Sequence, residues 1–227
     1  MGLNKSNGNM YEFVTHTWNT IKGKCHHDCS YCYMKRWKNQ REIRFDENEL
    51  KTNLGTGNFI FVGSSNDMFA ENIDPYWIEK TLIHCNNYDN KYLFQSKNPK
   101  RFYEYAKALI LPENSIFCVT IESCIYYTGI MGNAPMIQDR LKYTQLITEN
   151  IPVHITIEPI LDFDIEGFVK IIRLINPTQI NIGADSGHHK LPEPRPEKIK
   201  DLIDALHNLK IKTVLKKNLK RLYNHTL

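Results

Sequence analysis

Short apolar segments rich in β-branched and aromatic residues recur along the chain, and most of them lack a strict alternation of polar and apolar positions. Such continuous apolar segments are typical of parallel strands that are covered on both faces. We therefore predict strands at residues 11–18, 58–62, 91–95, 115–122, 153–160, 179–183 and 212–215.

Helical patterns occupy the intervals between these strands. Asp74-Pro75 and Asn98-Pro99 each place a capping side chain before a proline at the first helical position. Further helices are expected near residues 139–148, 166–175 and 196–209. Strands and helices in alternation predict βα units around a parallel sheet.

The number of predicted strands favours an incomplete barrel. A closed eight-fold barrel takes about 250 residues, whereas this chain offers seven strands in 227 residues. We predict an α/β fold, a partial (β/α)6-type TIM-like barrel of parallel strands with outer helices. An open doubly wound sheet is the alternative. Both folds carry their chemistry at the C-terminal ends of the strands.

No low-complexity segment, long linker or charge block interrupts the pattern. We therefore predict one domain over residues 1–227, with residues 1–10 frayed. The formal net charge of +4 neither demands nor excludes an anionic substrate. The apolar runs are too short for a transmembrane helix, so no membrane partner is expected.

Three of the six cysteines, Cys25, Cys29 and Cys32, lie within eight residues. A secreted disulfide framework would not be clustered in this way, so we predict a reducing, cytoplasmic location and a metal or cluster site. Three soft thiolates can hold three irons of a [4Fe–4S] cube and leave the fourth iron open. A zinc site with His26 or His27 as fourth ligand is the alternative, although a second, distant ligand pair is missing.

Polar residues follow the predicted strands at the end where a barrel would carry its site. The second strand leads into Gly63-Ser64-Ser65-Asn66-Asp67, whose oxygen atoms can accept from an ammonium group or simply form a turn. Ser96 and Lys97 follow the third strand. The lysine suits a carboxylate or a phosphate, and a solvated lysine is the alternative.

Carboxylates end the fourth and fifth strands. Glu122 and Glu158 occupy matching positions, and a buried unpaired carboxylate is costly. They predict either a polar basin that holds ribose hydroxyls or a cation, or structural ion pairs. After the sixth strand, Gly183 permits close approach of a ligand, and Asp185 and Ser186 are candidate contacts.

The cysteine segment follows the pattern C-x3-C-x-aromatic-C, with Tyr31 at the aromatic position. This pattern after the first strand of a βα series resembles the radical S-adenosylmethionine (SAM) superfamily. The resemblance implies a [4Fe–4S] cluster whose open iron binds SAM, reductive cleavage to a 5′-deoxyadenosyl radical, and hydrogen abstraction from a substrate. It also implies an electron-donating partner such as a flavodoxin or ferredoxin.

The resemblance extends the candidate site beyond the three cysteines. The residues assigned to cofactor binding are Tyr31, Gly63, Ser64, Ser65, Asn66, Asp67, Ser96, Glu122, Glu158, Gly183, Asp185 and Ser186. The candidate catalytic residues are Lys97, Glu122 and Cys124.

Several short motifs are similar to a radical SAM-like family found in phages and mobile elements. They are Thr17-Trp18-Asn19, Gly63 to Asp67, Lys97 to Arg101, Ile157 to Leu161 and Gly183 to Gly187. The chain departs from the pattern in two places. It lacks the Gly-Gly-Glu element usual in radical SAM proteins after the second strand, and it has Ala184-Asp185 where the family commonly has Gly-Glu.

The phage context implies a nucleoside, nucleotide or nucleic-acid substrate. The cluster loop also resembles that of the spore photoproduct lyase group, whose extra cysteine donates hydrogen, and Cys124 is the candidate for that role. A small buried side chain is the alternative reading of Cys124. The alternative functions are a radical SAM enzyme acting on a small molecule or peptide, and a non-catalytic zinc or iron–sulfur module.

Basic and aromatic residues interleave in two segments, residues 33–38 and 216–223. Such segments can hold phosphates and stack bases. A solvated, charged surface is the alternative for both.

Overall fold

The computed structural model describes residues 2–7, 11–37 and 39–224. The strands are β1 (Asn4–Lys5), β2 (His16–Trp18), β3 (Ile21–Lys22), β4 (Arg44–Phe45), β5 (Phe59–Val62), β6 (Lys91–Ser96), β7 (Ser115–Thr120), β8 (Val153–Ile157), β9 (Gln179–Ile182) and β10 (Lys212–Leu215). The α-helices are α1 (Pro75–Asn86), α2 (Pro99–Lys107), α3 (Ile137–Thr148), α4 (Ile165–Ile175) and α5 (Pro196–Asn208). Short 3₁₀ helices span Tyr33–Arg36, Glu47–Lys51 and Lys217–Arg221.

One sheet organises the chain. Its strand order is β1-β2-β5-β6-β7-β8-β9-β10, and every pair from β2 to β10 is parallel. One helix follows each of β5 to β9. Among the described residues β1 and β10 form the two edges, so the sheet is open. The predicted α/β fold with an incomplete parallel barrel is therefore confirmed.

The helices cover one face of the sheet. Alternate side chains of the central strands, such as Phe94, Val119 and Ile155, pack with helix residues such as Leu82 and Ile172 in the main hydrophobic core. The other face carries a small apolar cluster that contains no helix residue within the described ranges. A sheet with helices on one face matches the barrel expectation better than the doubly wound alternative.

Apart from this small apolar cluster, the face of the sheet away from the helices, here called the inner face, is largely polar. Its residues alternate with the core positions along each strand. They include Gln95, Thr120, His154, Thr156 and Asn181, all at least partly buried. A concave, polar face leaves room for a ligand beside the ends of the strands.

The N-terminal segment differs from the prediction in two ways. Only His16–Trp18 of the predicted strand at residues 11–18 is extended in the sheet, because Tyr11 and Val14 turn onto its inner face and pack with Phe61. Residues 1–10 were expected to be frayed, but Asn4–Lys5 pairs antiparallel with β2. Residues 1 and 8–10 lie outside the described residues.

The two predicted caps behave differently. Asp74 accepts a hydrogen bond from the backbone nitrogen of Tyr76 at 2.9 Å, as predicted for the start of α1. Asn98 precedes α2 but makes no side-chain capping bond, and its own backbone nitrogen donates to Ser96 Oγ at 2.8 Å. Among the described residues, no helix has the length and apolar composition needed to cross a bilayer.

His154 makes folding sensitive to acid. Its side chain is buried on the inner face, its Nδ1 has no hydrogen-bond partner among the described residues, and the Phe13 ring lies at 5.7 Å. Burial, with a smaller contribution from Lys212, lowers the pKa of His154 from 6.5 to about 4. Between pH 6.5 and pH 4, His154 is protonated in the unfolded chain but neutral in the folded chain. Stability is therefore lost as the pH falls from 6.5 towards 4, by roughly 3 kcal/mol.

We predict that His154→Leu removes this part of the acid sensitivity. Urea unfolding of the wild type and the variant at neutral and mildly acidic pH measures it. The difference in unfolding free energy between the two proteins should shift in favour of the variant as the pH falls. A constant difference across the range would contradict the assignment.

Candidate functional site

A cavity of about 1290 Å³ lies at the C-terminal ends of the strands. Most of the predicted site residues line it: Cys25, Cys29, Tyr31, Cys32, Gly63, Ser64, Ser65, Asn66, Asp67, Ser96, Lys97, Glu158, Asp185 and Ser186. These residues follow β3, β5, β6, β8 and β9, so the parallel sheet brings together groups far apart in sequence. Glu122, Cys124 and Gly183 are not among the lining residues.

The cysteine loop is held by a distant segment of the chain. The backbone nitrogen of Ser30 donates to Ile130 at 2.9 Å, and the nitrogen of Asn133 donates to the carbonyl of His27 at 2.7 Å. Gly132 adopts φ +60°, and a Cβ there would lie 2.0 Å from the His27 carbonyl oxygen. Only glycine permits this approach, so residues 130–133 set the conformation of the loop.

The donor set suits an iron–sulfur cluster. Cys25, Cys29 and Cys32 are all free thiols, and the Cys29 thiol donates to the Met131 carbonyl at 3.3 Å. Burial raises the pKa of Cys25 to about 11 and also raises that of Cys29. Among the described residues, no three His, Cys, Asp or Glu side chains form a group for a single metal ion. A [4Fe–4S] cube takes one thiolate on each of three irons and needs no such convergence.

Asp67 joins the cysteine loop to the sheet. His27 Nε2 lies 2.7 Å from Asp67 Oδ2, and Ser96 Oγ donates to the same oxygen at 3.0 Å. The backbone nitrogens of Lys97 and Phe69 donate to the carboxylate at 2.8 and 3.0 Å. Burial raises the pKa of Asp67, but His27 and these donors outweigh it and hold the pKa below its usual value.

Asp67 lines the cavity, and its predicted role in cofactor binding stays a prediction. Four donors already contact its two oxygens, so the carboxylate is engaged within the protein. Its geometry suits the positioning of the loop. Ser96 shares this role, because its hydroxyl bonds both Asp67 and the backbone nitrogen of Asn98.

The turn after β5 contains a buried acceptor without a partner among the described residues. The Asn19 side chain bonds Ser64 Oγ and the backbone nitrogen of Ser65, at 3.2 and 3.0 Å. Asn66 donates through Nδ2 to the Gly23 carbonyl at 3.3 Å, whereas its Oδ1 is buried with no partner among the described residues. Gly63 starts the turn at φ +80°. Asn66 Oδ1 is therefore an acceptor in this turn whose hydrogen-bonding capacity is left for a ligand to satisfy.

Glu122 belongs to a buried ion pair. Its Oε2 lies 2.7 Å from Arg140 Nη1, and both side chains are fully buried. The Tyr31 hydroxyl donates to Oε1. Burial raises the pKa of Glu122, but Arg140 and Lys97 hold it below its usual value. The expectation that Glu122 contacts cofactor or substrate is corrected, and the ion-pair alternative holds.

Sequence reasoning missed Arg140, because an arginine inside an amphipathic helix looks like a surface residue. The guanidinium also donates to the carbonyls of Thr120 and Pro135, at 2.9 and 2.8 Å. It thus links the end of β7, α3 and, through Glu122, the cysteine loop. Lys97 approaches the same assembly with its ammonium group 5.6 Å from the centre of the Tyr31 ring.

Cys124 lies away from the cavity. Its thiol donates to the carbonyl of Asp164 at 3.4 Å, and Gly167 packs beside the sulfur. The expectation that Cys124 donates hydrogen at the site is corrected on this geometry. Cys118, by contrast, is on the inner face of the sheet, with its sulfur 3.7 Å from the Tyr11 hydroxyl.

The ends of β8 and β9 contribute a further set of polar side chains, centred on Glu158. Glu158 lines the cavity, contacts Lys216 and accepts a bond from Asn218 Nδ2 at 2.7 Å. A Cβ at Gly183 would lie 2.6 Å from Glu158 Oε1. Gly183 therefore makes room for this carboxylate, and its predicted role in the approach of a ligand stays a prediction.

The Asp185 carboxylate bonds the backbone nitrogen of Gly187 and the ring of His189, at 2.9 and 2.7 Å. Burial raises its pKa, but these partners outweigh the effect and hold it below its usual value. Ser186 Oγ accepts from Asn218 at 2.8 Å. Both residues line the cavity while being bonded within the protein.

We predict that Glu122→Ala costs about 3–5 kcal/mol of unfolding free energy, because Arg140 is left as an unpaired buried charge. The matched control is Asp204→Ala, which breaks the exposed Lys200–Asp204 pair and should leave the unfolding free energy nearly unchanged, because solvent screens that pair. Urea unfolding at neutral pH compares the two. Similar small losses in both variants would show that the buried pair contributes little.

No protein-family model matches the chain, and no curated protein sequence is similar to it. Solved structures are similar at the level of the fold. A spore photoproduct lyase variant with bound AdoMet and dinucleoside spore photoproduct aligns with a TM-score of 0.67 and 9% identity, over 89% of this chain and 76% of that chain. The lyase complexed with dinucleoside spore photoproduct aligns with a TM-score of 0.69 and 10% identity, over 94% and 78%.

Streptococcus suis SuiB bound to S-adenosylmethionine aligns with a TM-score of 0.63 and 11% identity, over 92% of this chain and 52% of that chain. The chain thus spans about half of SuiB. At these identities the comparison concerns the fold. The chain has the fold of spore photoproduct lyase and SuiB.

Proposed function

We propose that this chain is a radical SAM enzyme that holds a [4Fe–4S] cluster through Cys25, Cys29 and Cys32. Its substrate is a nucleoside, a nucleotide or a nucleic acid. The observation that supports the proposal most is the meeting of three free thiols and the strand-end polar groups in one cavity of this fold. With one electron from a donor such as a flavodoxin or ferredoxin, the bound cofactors would supply a 5′-deoxyadenosyl radical and methionine. A reducing cytoplasm would keep the thiols free.

Some residues of the cavity wall would bind the cofactor, and others position the cysteine loop. Asn66 Oδ1 is the unpaired acceptor suited to the ammonium group of SAM. Asp67 and His27 hold the cysteine loop against the ends of β5 and β6. Burial lowers the pKa of Lys97, but Cys29 and Glu122 raise it above its usual value. Lys97 therefore stays cationic beside the thiols and offsets their charge once they lose their protons.

The substrate class is supported by this chain's own surface. One lyase neighbour holds a dinucleoside, and a SuiB structure holds a precursor peptide, so the shared fold accommodates either kind of molecule. In this chain an exposed aromatic and basic segment, Tyr33–Arg36 with Trp37, borders the cavity. That combination favours a nucleic substrate over a peptide.

The first experiment is anaerobic reconstitution with iron and sulfide, followed by electron paramagnetic resonance of the reduced protein with and without SAM. We expect a [4Fe–4S]⁺ signal that changes when SAM is added. Replacing Cys25, Cys29 and Cys32 together with alanine should abolish both the iron content and the signal. Cys124→Ala is the matched control, because that cysteine lies outside the cavity, and it should keep both.

Two results would contradict the proposal. A triple variant that still binds four irons would show that these three cysteines are not the cluster ligands. A wild-type protein that binds stoichiometric zinc, or a cluster whose signal ignores SAM, would instead favour a non-catalytic module.

We also predict that Asn66→Ala weakens SAM binding by about 10- to 100-fold, because a hydrogen bond to a charged group contributes about 1.5–3 kcal/mol. The measurement is the SAM concentration at which the cluster signal is half changed. Ser65→Ala is the control, since the Ser65 hydroxyl already bonds Asn19 at 3.1 Å. Equal SAM affinities in the two variants would remove Asn66 from the cofactor site.

A further inference from the structure

An exposed aromatic and cationic group lies at the mouth of the cavity. We call Tyr33, Arg36 and Trp37 the stacking rim. Trp37 is 53% exposed and Tyr33 is 39% exposed. The guanidinium carbon of Arg36 lies 5.2 Å from the Trp37 ring centre and 5.6 Å from that of Tyr33. Exposing large aromatic rings to water is unfavourable, and exposed apolar groups of this kind are common at sites where a partner binds.

Hydrogen bonds fix two side chains of the stacking rim, Tyr33 and Arg36, beside the cavity. The Tyr33 hydroxyl donates to the carbonyl of Ser64 at 2.7 Å, and Arg36 Nε donates to the carbonyl of Tyr33 at 3.0 Å. Ser64 belongs to the same turn as Asn66, and the rim begins directly after Cys32. A platform fixed in this way loses little conformational entropy when it binds.

Arg36 has no carboxylate partner within the described ranges, whereas its neighbour Lys35 pairs with Asp28 at 2.8 Å. In the other basic and aromatic segment, residues 216–223, two of the cations are paired beside the cavity. Lys216 contacts Glu158, and Arg221 pairs with Glu193. The rim therefore combines accessible rings with an uncompensated cation.

A nucleotide satisfies both features within a single unit. A nucleotide unit carries an aromatic face for Trp37 and a phosphate for Arg36, and such stacking tolerates any base. An acidic peptide would satisfy the cation alone. An apolar peptide would satisfy the rings alone.

We propose that a single-stranded nucleic acid binds across the stacking rim, with a base against Trp37 and a phosphate on Arg36, so that an adjoining nucleotide faces the cavity. This inference deepens the proposed function and rests on it for its catalytic meaning. Its binding test does not require SAM cleavage.

The test is the fluorescence anisotropy of a labelled thymidine oligonucleotide of about 12 nucleotides on the reconstituted protein. Trp37→Ala should weaken binding by about 5- to 100-fold, and Trp37→Phe should restore part of the loss because it keeps a ring face. Thermal melting checks that both variants are folded. The matched control is Tyr76→Ala in α1, where a ring with similar exposure lies 5.2 Å from the Lys80 ammonium group. It should bind as the wild type does.

Arg36→Ala should reduce the slope of log affinity against log salt by about 0.7, as expected for one lost phosphate contact on a single strand. Arg36→Lys should keep that slope, because it keeps the charge. The inference is overturned if Trp37→Ala binds as tightly as Tyr76→Ala, or if an acidic peptide competes as well as the oligonucleotide.

The two proposals fail separately. A wild-type protein whose cluster signal responds to SAM but which ignores the oligonucleotide would overturn the rim inference alone. Oligonucleotide binding that depends on Trp37, in a protein that forms no cluster, would overturn the proposed chemistry alone.

Discussion

The carboxylate of Asp67 is the contact on which the geometry of the site depends. This side chain contacts His27 of the cysteine loop at 2.7 Å and accepts a hydrogen bond from Ser96 at the end of β6 at 3.0 Å. It also accepts hydrogen bonds from two backbone nitrogens. A buried carboxylate without such partners would be costly, so the loop and the two strand ends must take up positions that satisfy it. The thiols, the turn that carries Asn66 and the start of α2 are placed relative to one another in consequence.

The open sheet explains why there is room for a ligand. Helices bury one face in an apolar core, while the other face carries polar side chains such as Gln95 and Thr120. Tyr11 and Val14 fill part of this concave side from the N-terminal segment. The rest remains as the cavity at the strand ends, where side chains from several strands converge.

The carboxylates at the strand ends show how residue type and residue role can separate. Glu122 and Glu158 occupy matching sequence positions, yet Glu122 is sealed against Arg140 whereas Glu158 borders the cavity. The difference arises from α3, which brings a guanidinium group beneath one strand end and not beneath the other. No local pattern around either glutamate contains that information.

The alternation of strands and helices, the parallel sheet and the cluster of three cysteines can be predicted from the amino-acid sequence, because they depend on short-range periodicity and spacing. The sequence also indicates most of the residues that line the cavity, since polar groups after parallel strands meet at one edge. Which of these polar groups remain unpaired depends on the three-dimensional packing. Two pairings, Asp67 with His27 and Glu122 with Arg140, join segments that are distant in the chain. The burial of Asn66 Oδ1 without a partner likewise depends on how distant segments pack around it. Such contacts are set by packing, which a local pattern of residues does not encode.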